Sequence, residues 1–203
     1  MPVFHRINPC FVVWMVKESL PELLSLLPAG VQIPAYKAES RRLEWVVVHV
    51  LVQVITGKFQ LVKHRDTGAP YLEDDPRYLS ISHTRNYVAV CLSDTPVGID
   101  VEVITPRANK LRKRFMSPHE GFMDMAHSEV EATLIWSAKE SLFKVLEEQD
   151  AVDFLQHLHT HPIPFAEEGV IFSQEKKTSH QKQYEVHYRI FSDFVLTWAV
   201  PKL

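Results

Sequence analysis

The sequence predicts an α+β protein of two pseudo-twofold-related lobes, each a small antiparallel sheet packed on one long helix. Three observations predict it. Two long segments read as helix, at about 35–55 and about 129–148. Each is followed by a hairpin signal, one turning at Arg85-Asn86 and the other at Ser192-Asp193. The 203 residues are enough for two small lobes with real cores. No sequence identity is visible between the halves, so the repeat rests on the order of elements. The join falls near residues 94–98, giving an N-terminal lobe 1–97 and a C-terminal lobe 98–203.

The elements follow in order. Residues 11–16 read as a buried strand. "SLPELLSLLPAG" reads as a short helix ended by Pro28 and Gly30. The first long helix stops near Gly57. Its segment "WVVVHVLVQVI" is β-branched and ambiguous by propensity, and its length favours helix. "FQLVKH", "YLSISHT", "YVAVCLS" and "PVGIDVEVI" read as strands. Residues 108–126 read as helical with a break near Ser117-Pro118. After the second long helix, "SQEKKTSHQKQ" reads as a polar loop. "YEVHYRIF" and "FVLTWAV" close the chain as a hairpin.

Hydrophobic residues make up 46% and charged residues 23%, as in an ordinary globular chain. A formal net charge of −3 gives no global basic field for nucleic acid. No apolar run approaches the ~18 residues of a membrane span. The N-terminus lacks a leading basic region and a small-residue cleavage site, so it reads as a first strand and a cytoplasmic location is expected. Cys10 and Cys91 sit in apolar strand-like runs and read as buried thiols, not a disulfide framework.

"VGIDVE" places Asp100 and Glu102 at i and i+2, so both carboxylates leave one face of a strand. Like charges so close are unfavourable unless a cation sits between them, and hard oxygen ligands suit Mg²⁺. A solvent-facing strand is the competing reading. In "WSAKESLFK", Trp136, Glu140 and Lys144 share one helix face while Leu134, Ala138, Leu142 and Val145 form another. An ordinary surface ion pair between Glu140 and Lys144 would also explain that spacing. "SISHT" with Arg85 gathers hydroxyls, an imidazole and a guanidinium that suit a phosphate, or a strand-end histidine held by the fold. "HLHTHP" offers His157, His159 and His161 at strand spacing, but its Pro-rich flank favours a surface loop over a metal site. Lys110, Arg112, Lys113 and Arg114 read as a solvated helix face or the rim of a site for an acidic partner.

The order of these motifs resembles the 4'-phosphopantetheinyl transferases, in particular the two-lobed surfactin-synthetase (group II) type. That family carries G-x-D-x-E, F-x-x-x-E and W-x-x-K-E-x-x-x-K. Here they stand as Gly98 through Glu102, as Phe115 through Glu120 with one residue more between them, and as Trp136 through Lys144. The upstream S-x-S-H stands as Ser80 through His83. The resemblance implies an active site in the cleft between lobes, where Asp100, Glu102 and Glu140 hold Mg²⁺, with Mn²⁺ as an alternative. It implies transfer of phosphopantetheine from coenzyme A to a serine of an apo acyl or peptidyl carrier protein, releasing 3',5'-ADP. Asp100, Glu140 and Lys144 would be catalytic, with Glu140 taking the serine proton. Lys139 and Lys144 would stabilise phosphate charge, and Arg42, Ser82 and His83 would hold the nucleotide end of coenzyme A. Residues 112–125, with Phe115, Met116, Phe122, Met123 and Met125 beside Arg112, Lys113 and Arg114, fall where the family docks its carrier. A cytoplasmic monomer with an internal pseudo-dimer is expected, with no nucleic acid or membrane partner.

Two positions depart from the family pattern. G-K-P is here Gly68-Ala69-Pro70, and His49 stands where the first long helix often carries arginine. Both bear on coenzyme A affinity and motivate a rival reading, a non-catalytic coenzyme A or carrier-protein binding relative. An unrelated Mg²⁺ phosphohydrolase using the same carboxylates is a third reading.

Overall fold

The computed structural model describes residues 2–6, 9–123 and 128–202. The chain divides into two compact units, Met1–Thr95 and Pro96–Leu203.

In the first unit, strands β1 (Pro2–Arg6), β2 (Cys10–Met15), β5 (Tyr78–Thr84) and β6 (Tyr87–Ser93) form an antiparallel sheet in the order β1-β2-β6-β5. Helix α1 (Leu20–Leu24) precedes the long helix α2 (Glu39–Thr56). A separate hairpin pairs β3 (Val62–His64) with β4 (Pro70–Leu72). The ambiguous valine-rich segment is helix. Every residue from Val46 to Val52 is buried, so packing overrides the β-branched propensity. Gly57 ends the helix in the left-handed region at φ 75°, returning its N–H to the carbonyl of Gln53. Valines of α2 pack on Val12, Trp14, Val88, Val90 and Leu92 of the sheet to make this unit's core.

In the second unit, β7 (Gly98–Val103), β8 (Leu158–Thr160), β9 (Glu168–Glu175), β10 (Gln183–Ile190) and β11 (Phe194–Pro201) form an antiparallel sheet in the order β7-β11-β10-β9-β8. Helix α3 (Pro106–Leu111) runs into a 3-10 turn at Arg112–Arg114, and helix α4 (Glu129–Val145) packs on the sheet. Ser128 caps α4, its hydroxyl accepting from the N–H of Glu131 at 3.1 Å. Glu129 and Glu131 in the first turn and Lys144 in the last complement the helix dipole. The two units share a strand order. A first strand (β2, β7) pairs with the last strand (β6, β11), whose hairpin partner (β5, β10) lies on its other side.

Several sequence expectations need correction. Residues 115–123 are not helical. Pro118 and Gly121 (φ 101°) interrupt the backbone, and buried charges hold it instead. "HLHTHP" is no irregular loop, because Leu158–Thr160 pairs with β9. Strand β9 runs into the segment read as polar loop, reaching Glu175. Carboxylate bonds to the N–H groups of Lys177, Thr178 and Lys182 hold the following turn. Ahead of the strand expected at 11–16, β1 adds a further strand that pairs antiparallel with β2. Cys91 is buried with its thiol pushed up to about 12 by burial, and Cys10 is a second free thiol. Among the described residues, no helix is long and apolar enough to cross a membrane.

His49 is not a ligand-facing substitute for arginine. Its ring is 1% exposed and stacks on Trp45 with centroids 3.8 Å apart. Nδ1 lies 2.7 Å from the Trp45 carbonyl, and Nε2 accepts from the N–H of Val62 at 3.2 Å. These bonds fix a neutral tautomer and tie β3 to α2. Burial holds the imidazole below its ordinary value. The unfolded chain therefore takes up a proton near pH 6.5 that the folded chain refuses, so the ring's contribution is present above that pH and lost as pH falls. Urea unfolding at pH 7.5 and 5.5 is expected to show a larger acid loss of stability for the wild type than for His49→Gln. Equal losses would refute this role.

Candidate active site

The site is built where β7 lies against α4. Gly98, Asp100 and Glu102 share one face of β7, opposite Ala199, Thr197 and Val195 of β11. A Cβ on Gly98 would stand 1.9 Å from the Ser141 carbonyl oxygen and 3.0 Å from Cβ of Lys144. The glycine of G-x-D-x-E is thus the condition for seating the strand on the last turns of the helix. Two buried bonds hold α4 over the sheet. The Thr197 hydroxyl donates to the Ser137 carbonyl at 2.9 Å, and the Ser137 hydroxyl reaches Thr197 Oγ1 at 2.9 Å.

This packing brings the polar side chains together. Lys144 Nζ donates to Asp100 Oδ1 at 2.8 Å and to the Ile99 carbonyl at 2.9 Å. Trp136 Nε1 donates to Glu102 Oε1 at 3.1 Å, and its ring is held between Phe115 and Phe154. Glu140 lies one turn from each, on the same helix face. Its carboxyl is pushed up to about 7, first by burial, then by the Asp100 charge, with a lesser push from Glu102; Lys144 opposes the rise. A half-buried carboxyl near neutrality can both take and give a proton.

Among the described residues, no three Asp, Glu, His or Cys side chains stand close enough to hold a metal ion. The donor set nevertheless suits a divalent cation by its chemistry. Three hard oxygen donors lie within each other's electrostatic reach, and the charge that lifts Glu140 is the charge a cation offsets.

Lys139 does not join this set. It is 0% exposed, and its ammonium donates to the carbonyls of Phe115 and Phe154 and to Glu120. Glu120 also accepts from the N–H groups of Ser117 and Thr160 and from the Thr160 hydroxyl. The pair fastens the segment before α4 to the helix and to β8. The Lys139 ammonium has no face left for a phosphate, so the expected phosphate contact falls to Lys144 alone. Glu131 makes a second buried anchor, accepting from the N–H of Phe122 and facing Arg112 at 3.5 Å.

The expected docking surface also changes. Phe115, Met116 and Phe122 are 2%, 5% and 8% exposed and belong to the core, because the buried charges turn their segment inward. Met123 is 64% exposed, and Lys113 and Arg114 are exposed beside the partly buried Arg112. Met125 lies outside the described residues.

In the first unit, Ser82 and His83 are neighbours on β5 and so leave opposite faces. Ser82 is buried and His83 exposed. The His83 ring meets the start of α2, where Arg41 Nη1 lies 3.3 Å from Nε2 and Glu44 Oε1 lies 3.5 Å from Nδ1. Arg42 is adjacent and half-buried. Sequence reading missed Arg41 and Glu44. Their i,i+3 spacing signals only a helix-surface pair, and nothing local announces the histidine. Gly68-Ala69-Pro70 forms the turn between β3 and β4, closed by the Arg65 N–H on the Ala69 carbonyl.

The sequence model of the 4'-phosphopantetheinyl transferase superfamily matches residues 96–199, over half of the chain and nearly all of the second unit. The chain belongs to this superfamily. It is 29% identical over 153 residues to the 4'-phosphopantetheinyl transferase Sfp of Bacillus subtilis, covering 70% of this chain and 66% of that protein. It is 29% identical over 126 residues to the 4'-phosphopantetheinyl transferase AcpT of Escherichia coli O157:H7, covering 58% and 64%. Enterobactin synthase component D of Escherichia coli K12 is 33% identical over 126 residues, covering 59% and 57%. The chain thus spans between 57% and 66% of the length of these relatives.

Two outcomes test this geometry. Gly98→Ala must push strand and helix apart against a backbone oxygen, and a loss of about 1–3 kcal/mol is expected in chemical unfolding. An unchanged midpoint would refute the close seating. The raised Glu140 carboxyl sets a second. Between pH 4.5 and about 7 the folded protein keeps a proton that the unfolded chain has lost, so in chelator stability falls with rising pH across that window. Glu140→Gln is expected to remove this fall and to be more stable than wild type at pH 8 by up to a few kcal/mol. Parallel pH curves for the two proteins would refute it.

Proposed function

We propose that this protein moves the 4'-phosphopantetheine arm of coenzyme A onto a serine hydroxyl of an apo acyl or peptidyl carrier protein. The observation that carries this reading is the meeting of Asp100, Glu102, Glu140 and Lys144 where β7 seats on α4. Family membership and the names of the similar proteins support it. The serine oxygen forms a new bond to the phosphorus bearing the pantetheine arm, the pyrophosphate P–O bond breaks, and 3',5'-ADP leaves. Glu140 accepts the serine proton and passes it to solvent. Asp100, Glu102 and Glu140 would hold a divalent cation, Mg²⁺ or Mn²⁺. When bound, it would polarise the pyrophosphate oxygens and offset the charge on the 5'-phosphate of the leaving 3',5'-ADP. Lys144, on the same helix face, stabilises phosphate charge. Arg42 and His83, joined by Arg41, hold the phosphorylated nucleotide end of coenzyme A. Met123 beside Lys113 and Arg114 meets an amphipathic acidic helix of the carrier. The protein acts in the cytoplasm as a monomer. His49 lends no weight to a binding-only relative, because its ring belongs to the core.

The test incubates the purified chain with coenzyme A, Mg²⁺ and apo carrier proteins and weighs the carriers by intact mass spectrometry. A gain of one phosphopantetheine arm is expected, lost with chelator. It should fall by about a hundredfold or more in Asp100→Ala and Glu140→Ala, with the fold intact by circular dichroism. Near-wild-type turnover in either variant, or no gain on any of several carriers, would overturn the proposal.

A further inference from the structure

The Lys144 ammonium has two partners, Asp100 Oδ1 at 2.8 Å and the Ile99 carbonyl at 2.9 Å. The Asp100 side chain is 5% exposed and that of Lys144 is 25% exposed. A carboxylate this buried needs a counter-charge, and the lysine supplies it from the last turn of α4. The lysine is free to leave. Its stem is partly in water, whereas Asp100 is fixed on the edge strand of the sheet. Glu140, one turn back on the same helix face, feels the same lysine. Lys139 offers a contrast within the same helix, since its ammonium is fully buried among three partners and cannot move.

We propose that Lys144 is a displaceable counter-ion for Asp100, competing with the divalent cation for that carboxylate. This rests on the reading above that Asp100, Glu102 and Glu140 hold a cation. A cation taking Asp100 as ligand meets a positive charge already paired with it and must turn the ammonium away. The released ammonium is then available to the phosphates of coenzyme A. Cation and substrate binding are thereby coupled through one side chain. The lysine keeps the carboxylate compensated when no cation is bound, at a cost in cation affinity.

Removing the charge should therefore tighten cation binding even while it harms transfer. The test measures Mn²⁺ binding to the full chain without coenzyme A by titration calorimetry, for wild type, Lys144→Met and Lys144→Arg. Lys144→Met is expected to bind Mn²⁺ about tenfold tighter than wild type, because a unit charge within a few ångströms is removed from a partly shielded site. Lys144→Arg, which keeps the charge, should stay near wild type. The melting temperature of Lys144→Met should fall below wild type in chelator and rise more than wild type on adding Mn²⁺. Equal or weaker Mn²⁺ binding by Lys144→Met, or no Mn²⁺ binding by any of the three, overturns the proposal. The carrier mass assay judges transfer itself independently, so transfer by the wild-type protein, together with unchanged Mn²⁺ affinity in Lys144→Met, would refute the counter-ion and leave the transferase reading standing.

Discussion

The second unit depends on one contact, the seating of β7 on the last turns of α4 at Gly98. The space between the strand and the Ser141 carbonyl admits a hydrogen atom and nothing larger. From that approach the rest follows. Asp100, two residues along the same strand face, comes within reach of Lys144, and Glu102 meets Trp136. A strand held further from the helix would leave these side chains as ordinary surface charges. The motif glycine and the motif carboxylates are thus parts of one requirement.

Charges in this unit fall into two kinds, and the difference separates framework from chemistry. Glu120, Lys139 and Glu131 are buried and fully engaged by hydrogen bonds, so they fix the segment before α4 in place. Removing one member of such a set leaves a buried charge without compensation. Asp100, Glu102 and Glu140 are imbalanced by comparison. Lys144 pairs with Asp100, and the Glu140 carboxyl is pushed up to about 7, first by burial and then by the Asp100 charge. Imbalance of this kind is costly to a fold and is kept where a reaction uses it. Adjacent residues of one helix, Lys139 and Glu140, belong to opposite kinds because their side chains leave it about 100° apart and meet different neighbours.

The two units solve their packing in the same way. In each, a first strand joins the last strand of a terminal hairpin, and one long helix covers the sheet. The helices differ in what they present. Helix α2 is buried through seven consecutive residues and even absorbs His49, whereas α4 keeps one polar face. The first unit's polar groups cluster instead at the open start of α2, where Arg41 and Glu44 meet His83.

The sequence by itself determined the two long helices, the two hairpins and the polar face of α4, because these follow from local periodicity and turn chemistry. It also marked Asp100, Glu102, Glu140 and Lys144 through fixed spacings along a strand and a helix. It did not yield β1, β8 or β9. β1 and β8 are edge strands of five and three residues, while β9 lies between two neighbours, and all three take their identity from the strands they pair with. Nor could it assign Lys139, Phe115, Met116 or Phe122, which the family resemblance made candidates for substrate and partner contact. Their fate was decided by the buried pairing of Lys139 with Glu120, 19 residues before it, which captures the ammonium and ties the aromatic segment to the helix. Spacing determines which face of an element a residue occupies. Only the packing of elements against one another decides whether that face meets water, a ligand or the interior.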